Sequence, residues 1–165
     1  MYEPLKIDTI QTVGFHAAAL AMRLPKNTSV STGLASDLEL MSQLVRRGDS
    51  HAKCVRGIIL YVRMEFQAGW MIELDTYRHG REVLSTSSSM HNELANLSGP
   101  ELAEQKQADL ADKVYTQICT FSAQTLRRIY IERRKHRHPD WQIFCDWIEG
   151  SRYFEYAIMP EKGKK

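Results

Sequence analysis

Residues 55–64 read VRGIILYVRM and residues 68–80 read AGWMIELDTYRHG. The first stretch is dense in β-branched and apolar side chains, and its length and composition predict a buried strand rather than a helix. In the second, Trp70, Leu74 and Tyr77 recur at helical spacing, and Gly80 can end the helix. A strand that runs almost directly into a helix makes this an α+β chain.

The neighbouring segments extend that reading. Residues 5–14 carry Leu5, Ile7, Ile10 and Val13 among β-branched neighbours and predict a strand ending at Gly14. A short helix follows over FHAAALAMRL, then a polar loop from Pro25. Ser36 and Glu39 have the spacing of a capping box, which predicts a helix with Leu38, Met41, Leu44 and Val45 on one face, closed by Gly48. Pro100 suits the first turn of a long helix, where its missing N–H costs nothing, with Leu102, Leu110, Val114, Ile118 and Phe121 as its stripe. A break or a second helix is expected near residues 122–125. Pro139 opens a last helix, on which Trp141, Phe144, Cys145 and Ile148 share a face. With no repeat or linker, the expectation is a single domain over residues 1–165: helix-rich α+β with a small mixed β-sheet.

Composition narrows the function classes. The 165 residues are 43% hydrophobic and 25% charged, which is the balance of a folded globular chain rather than a disordered one. A formal charge of +2 is too mild to argue for a polyanion partner, so any basic surface has to come from local clustering. Cys54, Cys119 and Cys145 are an odd, widely spaced set that predicts reduced thiols. No apolar run reaches membrane-spanning length and no secretory leader opens the chain, so a cytoplasmic protein without a membrane partner is expected.

Residues 75–91, DTYRHGREVLSTSSSMH, hold the densest chemistry. Arg78, His79 and Arg81 stand beside Ser85, Thr86, Ser87, Ser88 and Ser89. Arginine grips phosphate oxygens in a fixed fork, and loop hydroxyls and N–H groups add further donors, so an anionic nucleotide is the natural ligand. The plainer alternative is a solvated serine-rich loop behind an arginine that caps its helix. A second cluster, residues 127–138, contains Arg127, Arg128, Arg133, Arg134, Lys135, His136, Arg137 and His138. It reads either as a solvated face or as a nucleic-acid surface, with no aromatic RNA-binding motif beside it. The histidines have no metal-ligand spacing and no nucleophile elbow is present, so no metal site is expected and no catalytic residue is assigned.

The segment RHGREVLSTSSSMH resembles the R-H-R-x-x-S-x-N-E-x-S-x-R-Y signature of flavin-dependent thymidylate synthases, with Arg78, His79 and Ser88 on matching positions. Upstream, GDSHAKCVRGIILYVRM is similar to the family's G-H-x-T-P-F-E-H segment and following strand, with His51 on the flavin-contacting histidine. Downstream, RRKHRHPDWQIF is similar to the family's Leu-Arg turn, with Arg134 on that arginine. The resemblance implies a helix-flanked α/β domain that forms a homotetramer with sites between subunits, and binds FAD and dUMP for reductive methylation of the uracil ring. It places His51, Arg78 and His79 on the flavin side, and Arg81, adjacent in the sequence, joins them as a candidate cofactor contact. Ser88 and Arg134 fall on its nucleotide side, and the loop hydroxyls of Ser85, Ser87 and Ser89 join them as candidate substrate contacts. The short spacing between matched regions is similar to that of phage-type relatives. Gly80, Ser85-Thr86 and Met90-His91 depart from the signature, and Met90 stands where the family has a nucleotide-contacting arginine. The degenerate signature leaves three readings open: a divergent synthase, a non-catalytic nucleotide-binding or interaction protein, and a nucleic-acid binder through residues 127–138.

Overall fold

A computed structural model describes residues 2–27, 32–88 and 94–160, with the side chains of 109–112 outside the description. Strand β1 (Lys6–Val13) leads through Gly14 into α1 (Phe15–Arg23), a 3-10 turn (Leu24–Lys26) and α2 (Leu34–Arg46). A second 3-10 turn (Lys53–Gly57) precedes β2 (Ile59–Gln67), and α3 (Ala68–Leu74) follows without a loop. The remaining elements are β3 (Arg81–Thr86), α4 (Gly99–Asp112), β4 (Val114–Ser122), α5 (Ala123–Arg133), α6 (Pro139–Glu149) and a π-helical turn (Phe154–Ile158). The four strands run in the order β1-β2-β4-β3. Every pairing is antiparallel, so the sheet is not mixed as expected.

The register explains the core. In β2, Leu60, Val62, Met64 and Phe66 are buried while the alternate residues face away, which makes it a strand with one covered face rather than two. Cys119 and Phe121 of β4 lie opposite Val62 and Leu60 on the same inner face. Against that face packs α6, whose Trp141, Phe144, Cys145 and Ile148 are fully buried as the spacing predicts. Trp141 stacks in tilted and edge-on contact with Trp70 (5.1 Å between ring centres) and Tyr77 (5.8 Å). Helix α6 starts at Pro139, with His138 as its N-cap accepting from the Asp140 N–H.

Four local expectations are corrected. Strand β2 begins at Ile59 rather than Val55, because residues 53–57 form a turn whose Gly57 carbonyl lies against Gly14. A Cβ on Gly14 would fall 1.8 Å from that oxygen, at φ +89°, so only glycine fits there. The N-cap of α2 is Gly33, not Ser36; Ser36 sits in the first turn and accepts from Arg23. The helix expected through Phe121 stops at Asp112, and residues 114–122 are the strand β4. A spacing of four, as between Val114 and Ile118, suits a strand face as well as a helix face, and the β-rich composition VYTQICTFS decides it. Finally, residues 81–86 are an edge strand rather than a loop, paired to β4 with a bulge between Val83 and Ser85. Their outward Val83 and Leu84 remain exposed, which hides the strand from a search for buried runs.

Candidate functional site

Helix α3 ends at Leu74, six residues before Gly80, and the chain turns through residues 75–80 into β3. Its helical spacing was read as far as Tyr77, but Tyr77 is buried beyond the helix end, against Trp141. The turn is held from within. Thr125 Oγ1 donates to the His79 carbonyl (2.6 Å), and the Ser122 N–H to the Gly80 carbonyl (2.7 Å). Ser122 is also the N-cap of α5, accepting from the Thr125 N–H (3.2 Å). Gly80 has φ +76°, and a Cβ there would lie 2.3 Å from Thr125 Oγ1 and 2.6 Å from Ser122 Oγ. The departure from the signature at this position thus has a steric cause: the backbone runs against the β4–α5 junction with no room for a side chain.

The Arg78 and His79 side chains point outward and are exposed. Among the described residues, Arg78 Nε donates to the Asp75 carbonyl (3.2 Å). His79 stands between two clefts. One, of about 410 Å³, is lined by Arg56, Ile59, His79, Glu82 and Gln124 among others. The other, a shallower one of about 430 Å³, is lined by Ile72, Asp75, Thr76, Arg78 and His79. Arg56 belongs to the site and the sequence reading missed it, having placed it within a buried strand. It reaches the cleft from the 53–57 turn and donates from Nε to Gln124 Oε1 (2.6 Å), a neutral partner 68 residues away.

Arg81 does not join Arg78 and His79 on the surface. Its side chain is turned inward, only 3% exposed, with Nη1 on Asp75 Oδ1 (2.6 Å) and Nη2 on Gln117 Oε1 (2.5 Å). Ser85 is on the exposed edge strand opposite Ile118. Ser87 continues that edge: its N–H donates to the Thr116 carbonyl (2.8 Å) and its Oγ accepts from the Thr116 N–H (2.9 Å). Ser88 is exposed. Ser89, with Met90 and His91, lies outside the described residues.

The other two predicted residues stand elsewhere in this chain. His51 lines a separate cleft of about 510 Å³ between α1 and α2, with Lys26, Arg47, Met22, Leu40 and Leu44. Arg134 is covered by carboxylates, with Asp146 Oδ1 at 2.8 Å from Nη1 and Glu149 Oε1 at 2.9 Å from Nε. In the basic segment, Arg127 donates to the Ile158 carbonyl (2.7 Å) and Arg128 pairs with Glu132 (3.4 Å). Arg133 lies over the Trp141 ring (4.9 Å). Burial pushes the thiols of Cys119 and Cys145 up to about 11, which makes them poor nucleophiles at neutral pH. Among the described residues no three His, Cys, Asp or Glu side chains gather into a metal-ligand set, and no helix is long and apolar enough to cross a membrane.

No protein-family model matches the chain, and no curated protein does. Solved structures do match. Thymidylate synthase X from Helicobacter pylori, crystallised with FAD and dUMP, superposes with a TM-score of 0.71 at 13% identity, over 95% of this chain and 100% of that one. A second structure of that enzyme, also complexed with FAD and dUMP, gives a TM-score of 0.68 at 12% identity, over 93% and 97% of the two chains. At these identities the likeness is one of architecture, and the chain has the fold of the flavin-dependent thymidylate synthases over nearly its whole length.

Proposed function

We propose that this chain binds FAD and a pyrimidine nucleotide of the dUMP type, with Arg78 and His79 gripping the flavin cofactor. The observation that carries this reading is the outward turn itself. On a fold whose solved relatives hold FAD and dUMP, two cations beside one imidazole, Arg56, Arg78 and His79, line adjoining clefts, and neither arginine has a carboxylate partner among the described residues. Such groups fit the pyrophosphate of FAD, because a guanidinium without a counter-ion gains charge-assisted bonds when a phosphate arrives and loses no ion pair. The turn is fixed from beneath by Thr125 and Ser122, so little ordering entropy opposes binding. When bound, FAD supplies the redox chemistry, and the protein's part is to orient it and exclude water. His51, Ser88 and Arg134 complete the proposed set through the resemblance, and Ser85, Ser87 and Ser89 through their hydroxyls, in a homo-oligomer whose sites draw on more than one subunit.

The competing reading is a nucleotide-binding protein without catalysis. It is favoured by Arg134, whose guanidinium must leave Asp146 and Glu149 before it can take a nucleotide phosphate. Nucleic-acid binding has less to work with, since Arg127, Arg128, Arg133 and Arg134 all have partners within the chain.

Titration of the purified chain with FAD and with dUMP, followed by flavin fluorescence and calorimetry, tests the reading. The expected outcome is saturable binding of both, with FAD binding reduced at least about tenfold in Arg78→Ala. A chain that binds neither ligand overturns it. Binding of dUMP without FAD, with the nucleotide recovered unchanged, selects the non-catalytic reading.

A further inference from the structure

We infer that Arg81 is a positioning residue: its buried guanidinium, locked between Asp75 and Gln117, holds the start of the 75–81 turn so that Arg78 faces the ligand. This rests on the proposed function above but concerns a different residue and a different face of the turn.

Among the described residues Arg81 is the only buried lysine or arginine. It opens β3 and packs over the Phe121 ring at 5.9 Å, a place that an apolar side chain could fill without removing a charge from water. Its Nε is buried and makes no hydrogen bond, so the site is not a cage that satisfies every donor of the group. What a guanidinium does there and a leucine could not is bridge two specific acceptors in fixed geometry. One is Asp75, at the start of the turn (2.6 Å); the other is Gln117 on β4 (2.5 Å). Gln117 returns the link to β3 by donating from Nε2 to Thr86 Oγ1 (2.9 Å). One side chain thus ties both ends of the turn to the sheet.

Asp75 connects this internal lock to the external grip. Its carboxylate takes Arg81, while its carbonyl takes a hydrogen bond from the Arg78 side chain (3.2 Å). The Arg81 N–H also donates to the Arg78 carbonyl (3.3 Å). Loss of the Arg81–Asp75 pair therefore removes one of the ties on the residue whose carbonyl orients Arg78, leaving its N–H bond to the Met71 carbonyl (2.9 Å), while the hydrogen bonds from Thr125 and Ser122 continue to hold the backbone at His79 and Gly80.

The test compares the full-length parent with Arg81→Met, Arg81→Lys, Asp75→Asn and Arg78→Ala, and with the double variant Arg81→Met/Arg78→Ala, by FAD titration and amide exchange. Arg81→Met is expected to weaken FAD binding about tenfold in the parent background, and less than about twofold when Arg78 is already alanine, because its effect passes through Arg78. Arg81→Lys, which can still reach one acceptor, recovers part of the loss. The Arg81 amide should exchange at least about tenfold faster in Arg81→Met and in Asp75→Asn, with the Phe121 and Ile129 amides unchanged. Should Arg81→Met not fold, Asp75→Asn carries the same comparison, since that carboxylate is 44% exposed and its amide keeps its volume. An equal loss in both backgrounds, or parent-like binding by Asp75→Asn, overturns the inference. If the parent binds no FAD, the proposed function fails and the exchange data decide alone: a parent-like Arg81 amide in Asp75→Asn rejects the lock, and a faster one upholds it.

Discussion

The 75–81 turn and the α5–α6 corner are both rich in arginine, yet they use it in opposite ways. At the turn, Arg78 and Arg56 face open clefts and, among the described residues, have only neutral partners. At the corner, Arg133 lies across the rings of Tyr77 and Trp141, and Arg134 is covered by Asp146 and Glu149. The difference shows that an arginine's availability is set by what the tertiary fold places within 4 Å of it. Two carboxylates on the neighbouring helix α6 convert a potential phosphate ligand into part of the scaffold. The same contrast divides Arg78 from Arg81 only three residues apart, because Arg78 lies on the exposed turn while Arg81 opens β3 with its side chain turned inward to Asp75 and Gln117.

The largest effect that would sharpen this contrast is at the corner's core. Trp141→Ala should lower stability by about 3–5 kcal/mol in denaturant unfolding, since the ring is fully buried and its Nε1 donates to Glu73 (2.7 Å). Next is the turn's own constraint. Gly80→Arg, which restores the signature residue, should cost about 2–4 kcal/mol, from the left-handed backbone and from the clash with Thr125 and Ser122. A variant as stable as the parent would show that the turn has room after all.

Arg78→Ala should do the reverse of Trp141→Ala, leaving stability within about 0.5 kcal/mol while FAD binding falls at least about tenfold. Equal losses in stability and binding would erase the distinction between the two regions. At the corner, Asp146→Asn should raise dUMP affinity by about two- to fivefold if the carboxylate competes with phosphate for Arg134, at a stability cost below about 1 kcal/mol for a half-exposed pair.

The smallest effect is a spectroscopic one. The phenols of Tyr2, Tyr77 and Tyr130 are pushed up, chiefly by burial and then by bonds to Asp140, Glu132 and Glu149. A raised folded value means that the neutral phenol is favoured in the native state. The associated stability is full below pH 10 and is lost as pH rises through the folded values, about 12 for Tyr2. Tyrosinate absorbance should therefore rise at higher pH in the native chain than in urea; coincident titrations would refute the shifts.

Much of the fold was legible in the sequence because burial leaves a period. Trp141, Phe144, Cys145 and Ile148 mark the inner face of α6, whereas β2 is legible from its β-rich composition, and its one-sided burial at Leu60, Val62, Met64 and Phe66 is not. The misread elements are those where period is ambiguous or absent. Strand β4 has apolar residues four apart, a spacing common to both structures, and β3 is an edge strand whose Val83 and Leu84 remain in water. In the candidate site, Arg78 and His79 were identifiable from their motif, and the structure brings them together on one turn. Arg56 was not, because the group that aims it, Gln124, is 68 residues away. Nor could the motif reveal that Arg81 faces inward.

The sequence alone determined the α+β class, the start of α6 at Pro139, the apolar face of α6 and the place of the Arg-His motif. These depend on side-chain periodicity and on local backbone chemistry, which a few neighbouring residues carry. Only the tertiary structure decided which cations are open and which are neutralised, why Gly80 admits no side chain, and that His51 lines a different cleft from His79 within this chain. Those outcomes depend on distances between residues far apart in sequence, where one packed carboxylate or one close backbone approach outweighs any local preference.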